Sequence, residues 1–292
     1  MDIRSLFCKF FRFGLEKVIY PVCNLIYETI HKNYVIVSTS VKPLKYNWGD
    51  DVSIVLCKLV NPQNRYVPRK YTWNVFKKDD VLCIGSIITW MTTQKSIIWG
   101  SGIVYSDREL SAIPKKVLAV RGPLTREYLL KRGIECPEVY GDPALLFPRY
   151  YQPKVEKKYK LGIIPHFRDK SNAIIKDYCS DDSVLIIDVQ NIHPWQKFID
   201  DICSCECIAS SSLHGIIISD TYNIPNVWVE FEEGEHKEFA FRDYMASVGK
   251  EEVTPVVFNS CMTKDTLINL CKRWKPISID LDNLLEVCPF KS

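Results

Sequence analysis

The chain has 292 residues, 47% hydrophobic and 25% charged, the balance of a globular protein of one large or two ordinary domains. That composition excludes a disordered or low-complexity chain. Thirty-eight basic residues against 35 acidic ones leave a net charge of +3, too small a bias for binding nucleic acid through bulk charge. Twelve cysteines lie mostly in apolar runs such as Val55-Leu56-Cys57 and Val81-Leu82-Cys83, where a free thiol behaves as a small hydrophobe. With no visible secretory leader, a reducing cytosol is the expected setting, and no run of about 18 apolar residues predicts a transmembrane helix.

Residues 1–33 read as an N-terminal helical segment. Leu6, Phe7, Phe10, Phe11, Phe13, Leu15 and Ile19 alternate with Arg4, Lys9, Arg12 and Lys17, which on a helix gives an aromatic face edged by cations. Residues 1–27 therefore either lie on an anionic membrane surface or pack on the body of the protein. From residue 34 strands and helices alternate. Residues 34–38 predict a strand and 51–60 a helix; 81–85, 97–99 and 117–120 predict three more strands. Pro123 opens a helix over 123–132, with Gly133 just past its end, and 139–140 read as a short strand. Residues 148–158, with two prolines and a charge cluster, are the best linker. A second series follows, with strands at 161–165, 184–189, 207–209 and 227–230. Its helices are predicted over 195–203, 214–222, 263–274 and 280–287.

Two such series predict an α/β protein of two Rossmann-like, doubly wound domains facing a cleft, over 34–150 and 159–292. Ligands of such folds bind at the carboxyl ends of the strands. Four loops there carry glycine or polar residues: Asn47-Trp48-Gly49-Asp50-Asp51, Gly100-Ser101-Gly102, Arg121-Gly122-Pro123 and Ser210-Ser211-Ser212-Leu213-His214-Gly215. Arg121 precedes a helix start, where unpaired N–H groups and a guanidinium suit phosphate or carboxylate; the plain alternative is a surface arginine forming a salt bridge. His214 follows serines that can cap a helix, and it is either an acid/base near neutral pH or a hydrogen-bonded structural histidine. Asp51 is a candidate cap for the helix that follows it. His166 follows a strand and is a cleft candidate. The run Cys203-Ser204-Cys205-Glu206-Cys207 lacks a second, distant pair, so a zinc site is not predicted. Dinucleotide, Walker and nucleophile-elbow motifs are absent.

The ordered blocks NWGDD (47–51), GSGI (100–103), AVRGPLT (119–125), YGDPALLFP (140–148), GIIPH (162–166), ASSSLHGIIISDTYNIPNVWVE (209–230) and FAFRDY (239–244) resemble the polysaccharide pyruvyltransferase family. The resemblance covers nearly everything from residue 34 to about 250. It implies a fold similar to the type B glycosyltransferase arrangement. The implied reaction moves pyruvyl from phosphoenolpyruvate, a co-substrate rather than a cofactor, onto two hydroxyls of one sugar as a cyclic ketal. It places the family's essential arginine on Arg121 and its essential histidine on His214, with Ser211, Ser212 and Leu213 beside the donor. A donor lysine does not align cleanly; Lys237 or Arg242 would replace it. Asp50 or Asp51 would orient or deprotonate the acceptor, with Asn47, Gly49, Ser101, Gly102, His166 and Glu230 lining the cleft. The expected acceptor is a galactose-type residue, lipid-linked on a polyprenyl diphosphate, met in the cytoplasm at the inner face of the membrane. No metal is required. The rival readings are a nucleotide-sugar glycosyltransferase of the same fold and a non-catalytic glycan-binding protein.

Overall fold

The computed structural model describes residues 14–30, 34–39, 47–191, 193–231 and 237–291. The first sheet contains β1 (Tyr34–Ser38), β2 (Arg65–Pro68), β3 (Asp80–Leu82), β4 (Ser96–Trp99) and β5 (Lys116–Ala119), in the order β2-β1-β3-β4-β5. The second contains β6 (Leu161–Ile164), β7 (Val184–Ile186), β8 (Ile208–Ser210), β9 (Asn226–Phe231) and β10 (Val256–Phe258), in the order β10-β9-β8-β6-β7. Every pairing within these sheets is parallel. Central strands such as β6, with all four residues buried, read as the short β-branched runs that parallel sheets demand. Parallel strands also bring their carboxyl ends to one edge of each sheet, which fixes where the loops meet.

The sequence predicts eight of these strands and misses β2 and β10. Both are edge strands: β2 begins on exposed Arg65 and ends on Pro68, which only an edge tolerates. Residues 139–140 form no strand; Tyr140 makes a single bridge to Val120.

Beside clusters that belong to each sheet alone, one apolar cluster spans the two sheets. Trp48 is buried between them: its backbone N–H donates to Val189 O at 2.8 Å, its indole to Trp195 O at 2.9 Å, and its ring stacks 4.7 Å from Phe198. The linker is tied down as well. Tyr151 donates to Asp200 at 2.6 Å and its carbonyl accepts from the Tyr222 hydroxyl at 2.9 Å.

The chain crosses back to the first sheet after completing the second. Trp99 donates to Leu284 O and Asn61 to Phe290 O, each at 2.9 Å, and the Phe290 ring sits 5.2 Å from Trp99. The segment belongs there because Ile279, Leu281, Leu284 and Phe290 join the apolar cluster of Trp99 and Leu146. Helix Glu238–Ser247 likewise packs on helix Pro123–Leu130 of the first half.

The N-terminal residues Leu6 to Phe13 lie outside the described residues. From Gly14 the chain is helical, a π-helical turn Leu15–Ile19 running into helix Tyr20–Ile30. No helix among the described residues is long and apolar enough to cross a membrane.

Candidate functional site

Buried carboxylates divide into two groups. Asp80 is saturated by Ser38, Ser96, Thr93 and Arg69. Asp220 takes Lys250 at 2.6 Å, Asn226 at 2.7 Å, Trp274 at 2.6 Å and Tyr244 at 2.9 Å. Such residues are internal struts. Asp142 and half-buried Asp50 differ: Asp142 faces His214, and Asp50 feels its charge.

His214 opens helix Leu213–Thr221, directly after β8, and is 5% exposed. Its Nε2 faces Asp142 Oδ2 at 3.6 Å, just beyond hydrogen-bond reach, and neither atom has a hydrogen-bond partner among the described residues. The other Asp142 oxygen caps the 3₁₀ helix Pro143–Arg149, accepting from Ala144 N at 3.0 Å. The Nδ1 side of the imidazole lies flat against Gly49. A methyl group at residue 49 would overlap the ring, so this glycine is required by close approach.

Asp50 follows Gly49 and rests against Gly85, at the end of β3. Burial pushes its carboxyl up to about 6; Asp51 adds to the rise, while His214, Lys237 and a 3.2 Å hydrogen bond from Asn47 oppose it. Asp51 is committed elsewhere. It takes Lys70 at 3.0 Å and the backbone N–H of Asn47 at 3.2 Å, and it does not cap the following helix as expected.

Lys237, the N-cap residue of helix Glu238–Ser247, reaches the same space, with its Nζ 2.8 Å from His166 Nε2. Burial and nearby Arg168 lower the ammonium to about 8. Burial and the cations Lys237 and Arg168 drive His166 down to about 3, so it is neutral at pH 7 and accepts from the lysine. Arg242 points elsewhere: it bonds Glu238 at 2.9 Å and Val253 O at 3.0 Å. Glu230 is half-buried near the end of β9.

The serine loop is internally tied. Ser211 Oγ accepts from His166 N at 2.9 Å and donates to Asp169 at 2.8 Å, joining the ends of β6 and β8. Ser212 is the N-cap residue of the His214 helix, and its N–H donates to Ser210 Oγ at 3.0 Å; Leu213 is buried. Ser101 Oγ and Gly102 N both donate to Gly85 O, at 2.6 and 3.0 Å.

Arg121 is not presented to solvent as a donor clamp would be. It is fully buried behind Gly102, donating to Asp243 at 3.0 Å, to Ile103 O at 2.7 Å and to Ser86 Oγ. It makes the salt bridge of the plain alternative, but fully buried rather than at the surface. Asp243 also takes Thr125 N at 2.8 Å and Thr125 Oγ1 at 2.6 Å.

Sequence reasoning passes over Asp142, Ser86, Arg168 and Asp243. An Asp before Pro reads as a cap, which one oxygen of Asp142 is. Arg168 stands two residues after the cleft candidate His166.

Two parallel five-stranded sheets with acid/base groups and cations gathered at their carboxyl edges define an α/β protein of the two-domain Rossmann-like class. The sequence profile of the polysaccharide pyruvyl transferase family matches residues 15–232, and the chain belongs to that family. The match starts earlier and stops sooner than the blocks between 34 and 250. An uncharacterised protein of Acanthamoeba polyphaga mimivirus is 29% identical over 205 residues, 68% of this chain and 70% of the relative. The succinoglycan biosynthesis protein ExoV of Rhizobium meliloti is 26% identical over 188 residues, 61% of this chain and 54% of ExoV. An uncharacterised Klebsiella pneumoniae protein of known structure is 14% identical, with 80% of this chain and 96% of that one covered at a TM-score of 0.45. Membership makes this a transferase of polysaccharide biosynthesis.

Proposed function

We propose that the chain transfers pyruvyl from phosphoenolpyruvate to two hydroxyls of one sugar, forming a ketal on a surface polysaccharide precursor. We read the paired sheets as a type B glycosyltransferase-like cleft, with a galactose-type acceptor, lipid-linked, entering from the first sheet on the cytoplasmic side. The observation that carries the reading is the meeting of Asp50, His214 and Lys237 at the strand ends, with Asp50 poised to about 6 and Lys237 to about 8.

Lys237, Arg168 and the N-terminus of helix Leu213–Thr221 would hold the phosphate and carboxylate of the donor. Protonated His214 gives its proton to the donor's methylene carbon. The first sugar hydroxyl adds to the central carbon, and its proton passes to Asp50. Phosphate leaves with the electrons of the C–O bond and takes the Asp50 proton. The second hydroxyl closes the ketal, returning its proton to His214. Asp142, facing Nε2, stabilises the imidazolium that exists before the first transfer and is restored by the second. Arg121 acts from behind, bracing the Ser86 and Gly102 loops. Phosphoenolpyruvate is consumed as a substrate, and the steps call on no separate cofactor.

The test is phosphate release from phosphoenolpyruvate across a panel of galactosides, glucosides and mannosides, free and on polyprenyl diphosphate. Acceptor-dependent release is expected, reduced about 10²–10⁴-fold in His214→Ala. No release with any acceptor, together with turnover of a UDP- or GDP-sugar, overturns the reading in favour of a glycosyltransferase.

A further inference from the structure

The helix at residues 15–30 has two unlike faces. Its inner face is fastened to the turn after β2: Asn24 donates to Tyr71 O at 2.9 Å, Thr72 donates to Glu28 at 2.8 Å, and Tyr20 lies 5.0 Å from the Tyr71 ring. Its outer face is an apolar stripe at four-residue spacing, Val18, Val22, Ile26 and Ile30, with Ile26 59% and Ile30 68% exposed. The loop that follows Thr72 adds exposed Trp73, Val75 and Phe76.

That loop is built to hold these side chains outward. Asn74 adopts a left-handed φ of 46°; its amide donates to Lys78 O at 2.8 Å and its carbonyl oxygen accepts from Lys78 N at 2.9 Å. An ordered turn that exposes a tryptophan and a phenylalanine, directly after a residue bonded to an apolar helix, offers exposed apolar surface of the kind that marks an interaction site. The same elements carry exposed Lys17, Arg65 and Lys77, while Glu28 is turned inward. Aliphatic and aromatic side chains flanked by lysine and arginine complement an anionic bilayer, where rings and stems enter the headgroup layer and cations meet lipid phosphate.

We propose that the outer face of helix 15–30 and the 73–76 loop together form a docking surface for an anionic lipid bilayer. The fastening turn also carries Lys70, which pairs with Asp51 beside Asp50. The bilayer would therefore lie at the β2 edge, on the acceptor side of the cleft. The inference does not depend on the donor chemistry.

The experiment uses the full chain in co-sedimentation with phosphatidylglycerol–phosphatidylcholine vesicles and with pure phosphatidylcholine vesicles. Wild type is expected to bind the anionic vesicles, more weakly at high salt, and to bind the neutral ones poorly. Ile26→Glu and Phe76→Glu, both at exposed positions, should each weaken binding about tenfold or more while circular dichroism and melting stay as in wild type. Equal binding by wild type and both variants, or no binding by wild type, overturns the proposal. So does a self-association that Ile26→Glu abolishes, in a protein that ignores vesicles.

Discussion

Asp50 and Asp220 are both carboxylates drawn away from water, and their surroundings give them opposite tasks. Four donors satisfy Asp220 and leave it nothing to exchange. Asp50 has its proton affinity raised to about 6, inside the range where a base can turn over. As a base it works only when ionised, so kcat/KM should climb as pH rises through about 6. Lys237 binds the donor only when protonated, so the rate should fall as pH rises through about 8. The expected profile is a bell, with the acid limb lost in Asp50→Asn and the alkaline limb lost in Lys237→Gln. A raised carboxyl also has a stability consequence. The folded state favours neutral Asp50, an advantage present below about 4 and lost as pH climbs through about 6. Discounted for partial exposure to water, Asp50→Asn should stabilise the fold by about 1–2 kcal/mol at pH 8 even as it lowers activity. Thermal melting of both proteins at pH 5 and pH 8 checks the sign.

Individual elements carry residues for two purposes at once. Helix Glu238–Ser247 begins with Lys237 in the cleft and, two turns on, places Asp243 against Arg121. Arg121→Ala leaves Asp243 buried without its cation, which should destabilise the protein by about 3–5 kcal/mol. Urea unfolding would show it, and a midpoint equal to wild type would mean that Arg121 is not the strut its contacts describe. Such a variant does not report on donor binding alone. Sequence periodicity could not announce this helix, because its buried face contains an aspartate and its start follows an acidic run. Helix Leu213–Thr221 was visible only through its serines and histidine, since eight of its residues are buried and no polar face marks a period. The strand-end loops were legible for the opposite reason: Gly49, Gly102 and His214 are residue types a plain turn does not require. Which of those side chains meet was not legible, because Asp142 and Lys237 arrive from distant segments.

At the scale of the molecule, the two sheets follow from the order of apolar runs, while the return of the chain does not. Residues 280–287 read as a helix, yet nothing local says which sheet they cover. Phe290 is 4% exposed and contacts Tyr66 and Trp99 of the first sheet. Phe290→Ala should therefore lower stability by about 3–4 kcal/mol, in one transition reported alike by probes in either half. Two separated transitions would mean that the halves unfold independently.

The crossing of residues 281–290 onto the first sheet bears on how the protein is born. A ribosome delivers β1 to β5 long before it delivers Leu284 and Phe290, so the first sheet waits, its Trp99 and Asn61 uncovered, while the whole second sheet is made. Apolar surface left open for that interval is the kind that holding factors cover, and a stop anywhere before residue 281 releases a product with an open face rather than a smaller working protein.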